Sequence, residues 1–135
     1  FGAGRARIIA EILDSNNVEL ARVVAVEDLV VSDRLASLMM TQLSQSPHLS
    51  QIFGQLFGPG GVYLNAKPIS YYLPDGQASF AQLVAAGRAR GEVVIGYRDN
   101  EVNFGLTSGI YLNPAKDSVF TAKATDQAIV IGPVE

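Results

Sequence analysis

The spacing of apolar residues changes character twice along this chain, and each change marks a different kind of element. Residues 6–13, ARIIAEIL, are apolar on both alternate faces, the pattern of a strand covered by helices on each side of a parallel sheet. Asn16 then stands where a helix cap is needed, with Glu19 in the capping-box position and Leu20 and Val24 spaced to face a sheet. That short helix is expected to end near Ala25. The polar pair Glu27 and Asp28 precedes a second buried strand, Leu29, Val30 and Val31, after which Ser32 or Asp33 is placed to cap the next helix. Strand, helix and strand within about 30 residues make a parallel crossover unit.

From Arg34 the period lengthens. Leu35, Leu38, Met39 and Leu43 recur at helical spacing, and this amphipathic helix stops at Ser46 and Pro47. Pro47 suits the first position of a second helix with Ser46 as its cap, and Leu49, Ile52, Phe53, Leu56 and Phe57 form one stripe along it. The two predict a helix-turn-helix arm over residues 34–61, ended by Gly58, Pro59, Gly60 and Gly61, where a boundary between two lobes is expected.

Beyond residue 61 the alternation is that of strands, predicted at 62–66, 69–73, 93–97, 109–112 and 128–132. One helix interrupts them, from the cap Ser79 through Phe80, Leu83, Val84 and Gly87 to about Arg90, closed by Gly91. A small α+β lobe thus follows a partial α/β one. Two buried parallel strands cannot satisfy their own backbone donors, so further strands are expected upstream of Phe1 or from another chain. The two helical stripes could cover the chain's own sheet or meet a partner. They offer more apolar surface than two strands need, which favours a partner.

Composition narrows the chemistry. With 48% hydrophobic and 17% charged residues the chain is too apolar to be disordered, and its net charge of −3 with scattered basic residues gives no footprint for nucleic acid. It has no cysteine, which removes disulfides, thiol nucleophiles and thiolate metal sites together. No apolar run reaches the roughly 20 residues of a membrane-spanning helix. The single histidine, His48, sits beside a helix-starting proline where exposure is expected, so neither a hydrolase triad nor a zinc site can be assembled around it. Gly2 and Gly4 offer a GxG with a strand after it and none before it, the reverse of a dinucleotide fingerprint. Asp14 and Asp33 follow the two strands, at the sheet edge where doubly wound folds bind ligands, and Asn16 or Asn17 could add carbonyl oxygens to a calcium site. Both aspartates serve equally well as turn or cap residues, and their spacing is not that of an EF-hand.

The order of strand IIAEI, helix, strand LVVSD, paired helices and α+β lobe resembles an RCK domain, the regulator of potassium conductance. NPAKDSVFTAKATDQAIVIG, residues 113–132, is similar to the end of RCK C-lobes, with its Asn-Pro turn, Asp117, Asp126 and Gly132, and GEVVIGYR resembles the preceding strand. More specifically, IIAEILDSNNVELARVV followed by VVSDRLASLMMTQLSQSPHLSQIF resembles the middle region of CASTOR/POLLUX-type ion channels. The stretch DNEVNFGLTSG, residues 99–109, departs from the usual RCK pattern, as does the lack of a glycine at the end of the helix that precedes the lobe.

The resemblance implies a fold of three parts: residues 1–33 the end of a Rossmann-like N-lobe, 34–61 a crossover arm, and 62–135 an α+β C-lobe. It implies a non-enzymatic gating module in the cytoplasmic part of a membrane channel, joined to a pore domain of the same parent chain. Homodimers or larger rings would form through Leu35, Leu38, Met39, Leu43, Leu49, Ile52, Phe53, Leu56 and Phe57. Calcium is the ligand the family suggests for Asp14, Asn16 and Asp33. A peripheral TrkA-like regulator of a potassium transporter, a stand-alone small-molecule sensor and a piece of a nucleotide-dependent oxidoreductase are the alternatives.

Overall fold

The computed structural model describes residues 9–17, 28–59, 62–102 and 109–133. The chain divides into two compact units, Phe1–Ile52 and Phe53–Glu135. The division falls inside the second helix of the arm.

In the first unit, β1 (Ile9–Ile12) pairs in parallel with β2 (Asp28–Val31), Ile9 opposite Asp28 and Ile12 opposite Val31. Parallel pairing is what the doubly apolar pattern predicted. Asn16 lies in a 3-10 turn, Ser15–Asn17. The rest of the helix expected there lies outside the described residues. Helix α1 (Ser32–Gln45) follows β2 directly, preceded by Val31 in extended backbone without a side-chain cap. The expected cap at Ser32 or Asp33 is therefore not formed. Ser32 is already helical and its hydroxyl donates to the Glu11 carboxylate, while Asp33 Oδ1 accepts from the Arg34 N–H at 2.6 Å. Ser46 ends α1, its N–H donating to the Gln42 carbonyl at 3.2 Å.

Helix α2 spans Leu49–Phe57, so Pro47 and His48 form a turn and not the first residues of the helix. The reason is local: the Ser46 backbone is extended, and its carbonyl accepts the Leu49 N–H at 3.1 Å, closing one tight turn first.

The second unit holds a four-stranded antiparallel sheet in the order β3-β8-β5-β6, with β3 at Val62–Pro68, β5 at Val93–Arg98, β6 at Ile110–Leu112 and β8 at Gln127–Pro133. A separate antiparallel pair joins β4 (Gly76–Ser79) to β7 (Val119–Ala122). These two strands have no apolar alternation long enough to be recognised in the sequence. The strand expected at 69–73 is instead a 3-10 turn, Ile69–Tyr71. Pro68 has no N–H with which to extend β3, and the Ile69 carbonyl accepts from both Tyr72 and Leu73, which curls the chain and buries Ile69 and Tyr72 together.

Helix α3 (Phe80–Arg88) begins on a complete capping box: Ser79 Oγ accepts from the Gln82 N–H at 3.3 Å and Gln82 Oε1 from the Ser79 N–H at 2.7 Å. Gly91, at φ +74°, closes the turn after it as expected. Phe80 and Leu83 of α3 pack with Ile69, Val94, Ala122, Ala128 and Val130 to form the core. Each such large side chain contributes about 1.5–3 kcal/mol on burial. The opposite face of the sheet leaves Leu64, Val93 and Leu112 exposed. Among first-unit residues 9–14, 16–17 and 30–52, by contrast, none is buried.

Gly87 sets how closely α3 approaches the sheet, because a Cβ there would stand 2.4 Å from Val94 Cγ2. Gly87→Ala should therefore lower stability by about 1–3 kcal/mol despite its better helix propensity. Gly54→Ala, in the open on α2, should leave stability unchanged or raise it by up to about 1 kcal/mol. Urea unfolding midpoints of the two variants test the difference in sign.

Candidate functional site

The arm helices carry the sequence-predicted surface. Neither α1 nor α2 has a buried residue. Leu35, Leu38, Ile52 and Phe57 are each more than half exposed, and Met39, Leu43, Leu49, Phe53 and Leu56 are half-buried. On α2 the Phe53 and Phe57 rings lie 6.1 Å apart, as residues four apart on one helix face do. At the start of α1, Leu35 and Leu38 line a shallow apolar depression with Val30, Val31 and the stem of Arg34. Each stripe thus stays partly uncovered on its helix, at Leu35 and Leu38 of α1 and at Ile52 and Phe57 of α2, with apolar surface available to a partner.

The strand-end carboxylates have local work. Asp14 Oδ1 accepts from the Asn16 N–H and Nδ2, both at 2.9 Å, which builds the 3-10 turn after β1. Asp33 lies in the first turn of α1, where a negative charge complements the helix dipole. Both are exposed, and no group of three or more metal-ligating side chains occurs among the described residues. His48 is exposed in the turn ahead of α2.

A cluster that sequence reasoning missed lies in the second unit. The turn closed by Gly91 brings Glu92 under the sheet, with its N–H on the Gly87 carbonyl at 3.0 Å and its residue surface 9% exposed. One carboxylate oxygen accepts from Lys67 Nζ at 2.7 Å and the other from the Tyr72 hydroxyl. The Arg90 guanidinium stacks 3.9 Å from the centre of the Tyr71 ring beside them. The Lys67 ammonium and then the Tyr72 hydroxyl hold the Glu92 carboxyl below its ordinary value, against the opposing effect of burial. Burial first, and then the bond to Glu92, push the Tyr72 hydroxyl far above its ordinary value. A cleft of about 380 Å³ opens beside this pair, between Tyr63 and Asn65 of β3 and Gly132 of β8. Glu92, Lys67 and Tyr72 come from three elements, and nothing in their spacing along the chain links them. A buried carboxylate held by an ammonium and a phenol fixes the end of α3 to β3; it is not arranged as a general base.

No family model matches the chain. It is 30% identical over 125 residues to the ion channel DMI1 of Medicago truncatula, a match covering 92% of this chain and 14% of that protein. It is 35% identical over 92 residues to the ion channel POLLUX of Lotus japonicus, covering 67% of this chain and 10% of that one. The chain thus spans about a seventh of the length of these relatives, or less. Among solved structures, a GsuK channel aligns over 96% of this chain and 21% of its own, at 13% identity and a TM-score of 0.41.

Because the Glu92 carboxyl is lowered on folding, the stability it contributes is complete above the ordinary carboxylate value and is lost as pH falls through the lowered one. The gap in thermal midpoint between the protein and Glu92→Gln should therefore narrow as pH falls from about 6 to about 3. A constant gap over that window would contradict the assignment. At neutral pH, Tyr72→Phe should cost about 1–3 kcal/mol, since it leaves a buried carboxylate oxygen without its donor.

Proposed function

The chain belongs to the CASTOR/POLLUX family of ion channels, and on that premise we propose that it is an RCK-type gating and assembly domain on the cytoplasmic side of its parent channel. It performs no catalysis of its own in this reading. Copies associate through the arm, and movement at that junction is passed to a pore formed elsewhere in the parent chain.

The observation that carries the reading is the uncovered pair of apolar stripes on α1 and α2. Helices in a self-sufficient domain bury such a stripe against their own core, and an exposed one of this extent usually belongs to an interface. A standard interface takes about 800 Å² from each partner. Two consecutive helices each present two apolar side chains more than half exposed, and the charged residues of α1, Asp33 and Arg34, stand in solvent.

Ligand response belongs to the same reading. The candidate ligand is calcium at the strand-end oxygens of Asp14, Asn16 and Asp33, in a site completed by groups beyond these three, since the ion takes six to eight oxygens. Calorimetric titration with calcium should give heat that Asp14→Asn and Asp33→Asn each diminish. Absence of heat with the unaltered chain would remove calcium from the proposal and leave assembly standing.

Assembly itself is tested by mass in solution. The protein should run at twice its 14.4 kDa chain mass or more, and Leu38→Asp or Ile52→Asp should weaken association by at least about tenfold while leaving the circular dichroism unchanged. A monomer at every concentration would overturn the arm as an assembly surface.

A further inference from the structure

A second cavity of the C-terminal unit takes no part in the proposed assembly surface. It measures about 360 Å³ and has three aromatic rings in its wall. Tyr97 on β5 stands opposite Tyr111 on β6, with ring centroids 4.9 Å apart and planes 22° from parallel. On its other side Tyr97 meets Phe120 of β7 at 4.3 Å and 16°. These separations exceed the contact distance of flat rings, so the three are slipped into a staircase and not stacked face over face.

The polar part of the lining is predominantly acidic. Asp126 is 2% exposed, and its carboxylate accepts from the backbone N–H groups of Lys123 at 3.1 Å and Asn100 at 3.2 Å. Among the described residues no ammonium or guanidinium forms an ion pair with it. Asp99 accepts from the Glu101 N–H at 2.9 Å and also lines the cavity. The one cation at the wall, Lys123, has its ammonium on the Glu101 carboxylate. With Lys123 paired to Glu101, the lining carboxylates Asp99 and Asp126 leave the wall negative. Burial, and then the neighbouring Tyr111, Asp99 and Asp126, raise the Tyr97 hydroxyl above its ordinary value, as a negative surrounding requires.

A buried carboxylate without a countercharge is costly unless something positive reaches it. Backbone N–H groups supply part of that compensation, and each carboxylate oxygen keeps a further acceptor position. A hydrated hard cation is a poor match, because calcium takes six to eight oxygens and most of this wall is ring carbon. An organic cation is attracted both by aromatic rings and by carboxylates. We propose that this cavity binds a small alkylammonium ion, its carbon atoms against Tyr97, Tyr111 and Phe120 and its charge offset by Asp126 and Asp99.

Choline chloride is the probe. The protein has five tyrosines and no tryptophan, so tyrosine emission reports directly on two of the lining rings. Choline should change that emission saturably, beyond the effect of sodium chloride at the same ionic strength. Tyr111→Leu and Asp99→Asn lie outside the core cluster and should each weaken binding by at least about tenfold while the circular dichroism stays that of the folded chain. Asp126 is left unaltered because it also builds the turn into β8. No saturable response to choline, equal affinity in both variants, or binding of calcium in place of choline would each overturn the proposal. None of these outcomes bears on association through the arm.

Discussion

The contact on which the described structure turns is the seating of α3 on one face of the β3-β8-β5-β6 sheet. Phe80 and Leu83 reach Val94, Ala128 and Val130 because Gly87 lets the helix backbone come within a side chain's reach of the sheet. Everything else in the C-terminal unit is placed by that approach. The capping box fixes where the helix begins, the Gly91 turn fixes where it ends, and the chain leaving that turn delivers Glu92 to Lys67 and Tyr72. The same layer presses Tyr97 against Phe120 and so builds the aromatic wall of the second cavity.

The first unit is held differently. Two parallel strands of four residues, paired across 19 positions of the chain, and a helix with no buried side chain form a unit that leaves Ile9, Leu35 and Leu38 more than half exposed. Hydrophobic stabilisation scales with the area removed from water, so such a unit gains most when another surface closes over it. The proposed gating role has use for this asymmetry. In that reading a C-terminal unit with its own core would keep its shape while α1 exchanges contacts.

Several features could be read residue by residue. The apolar run before Leu13 gave a parallel strand, the helical spacing from Leu35 gave α1, and Ser79 as a cap gave the start of α3. Each depends on near neighbours. The failures share a cause as well. ISYYL has the composition of a strand, but Pro68 and the doubly used Ile69 carbonyl bend it into a turn that serves the core. GQAS has no strand signature, yet pairing with β7 makes it β4. In both, a backbone partner also lies some 40 or more residues away along the chain, the Asp126 carbonyl for the Ile69 N–H and β7 for β4, beyond the reach of any local pattern.

Consecutive residues therefore carry the kind of chain this is: its α/β then α+β order, the two apolar helices, and a family borne by stretches such as IIAEILDSNNVELARVV. Period and capping are properties of consecutive residues, and they survive without knowledge of the fold. Only the tertiary structure decided which carboxylates are buried. Asp14 and Asp33, at the expected sheet edge, are exposed and occupied with turns, whereas Glu92 and Asp126 are enclosed by strands distant in the chain. Burial is a property of the assembled surface and not of the residue, and it is burial that turns a common acidic side chain into one that needs a partner.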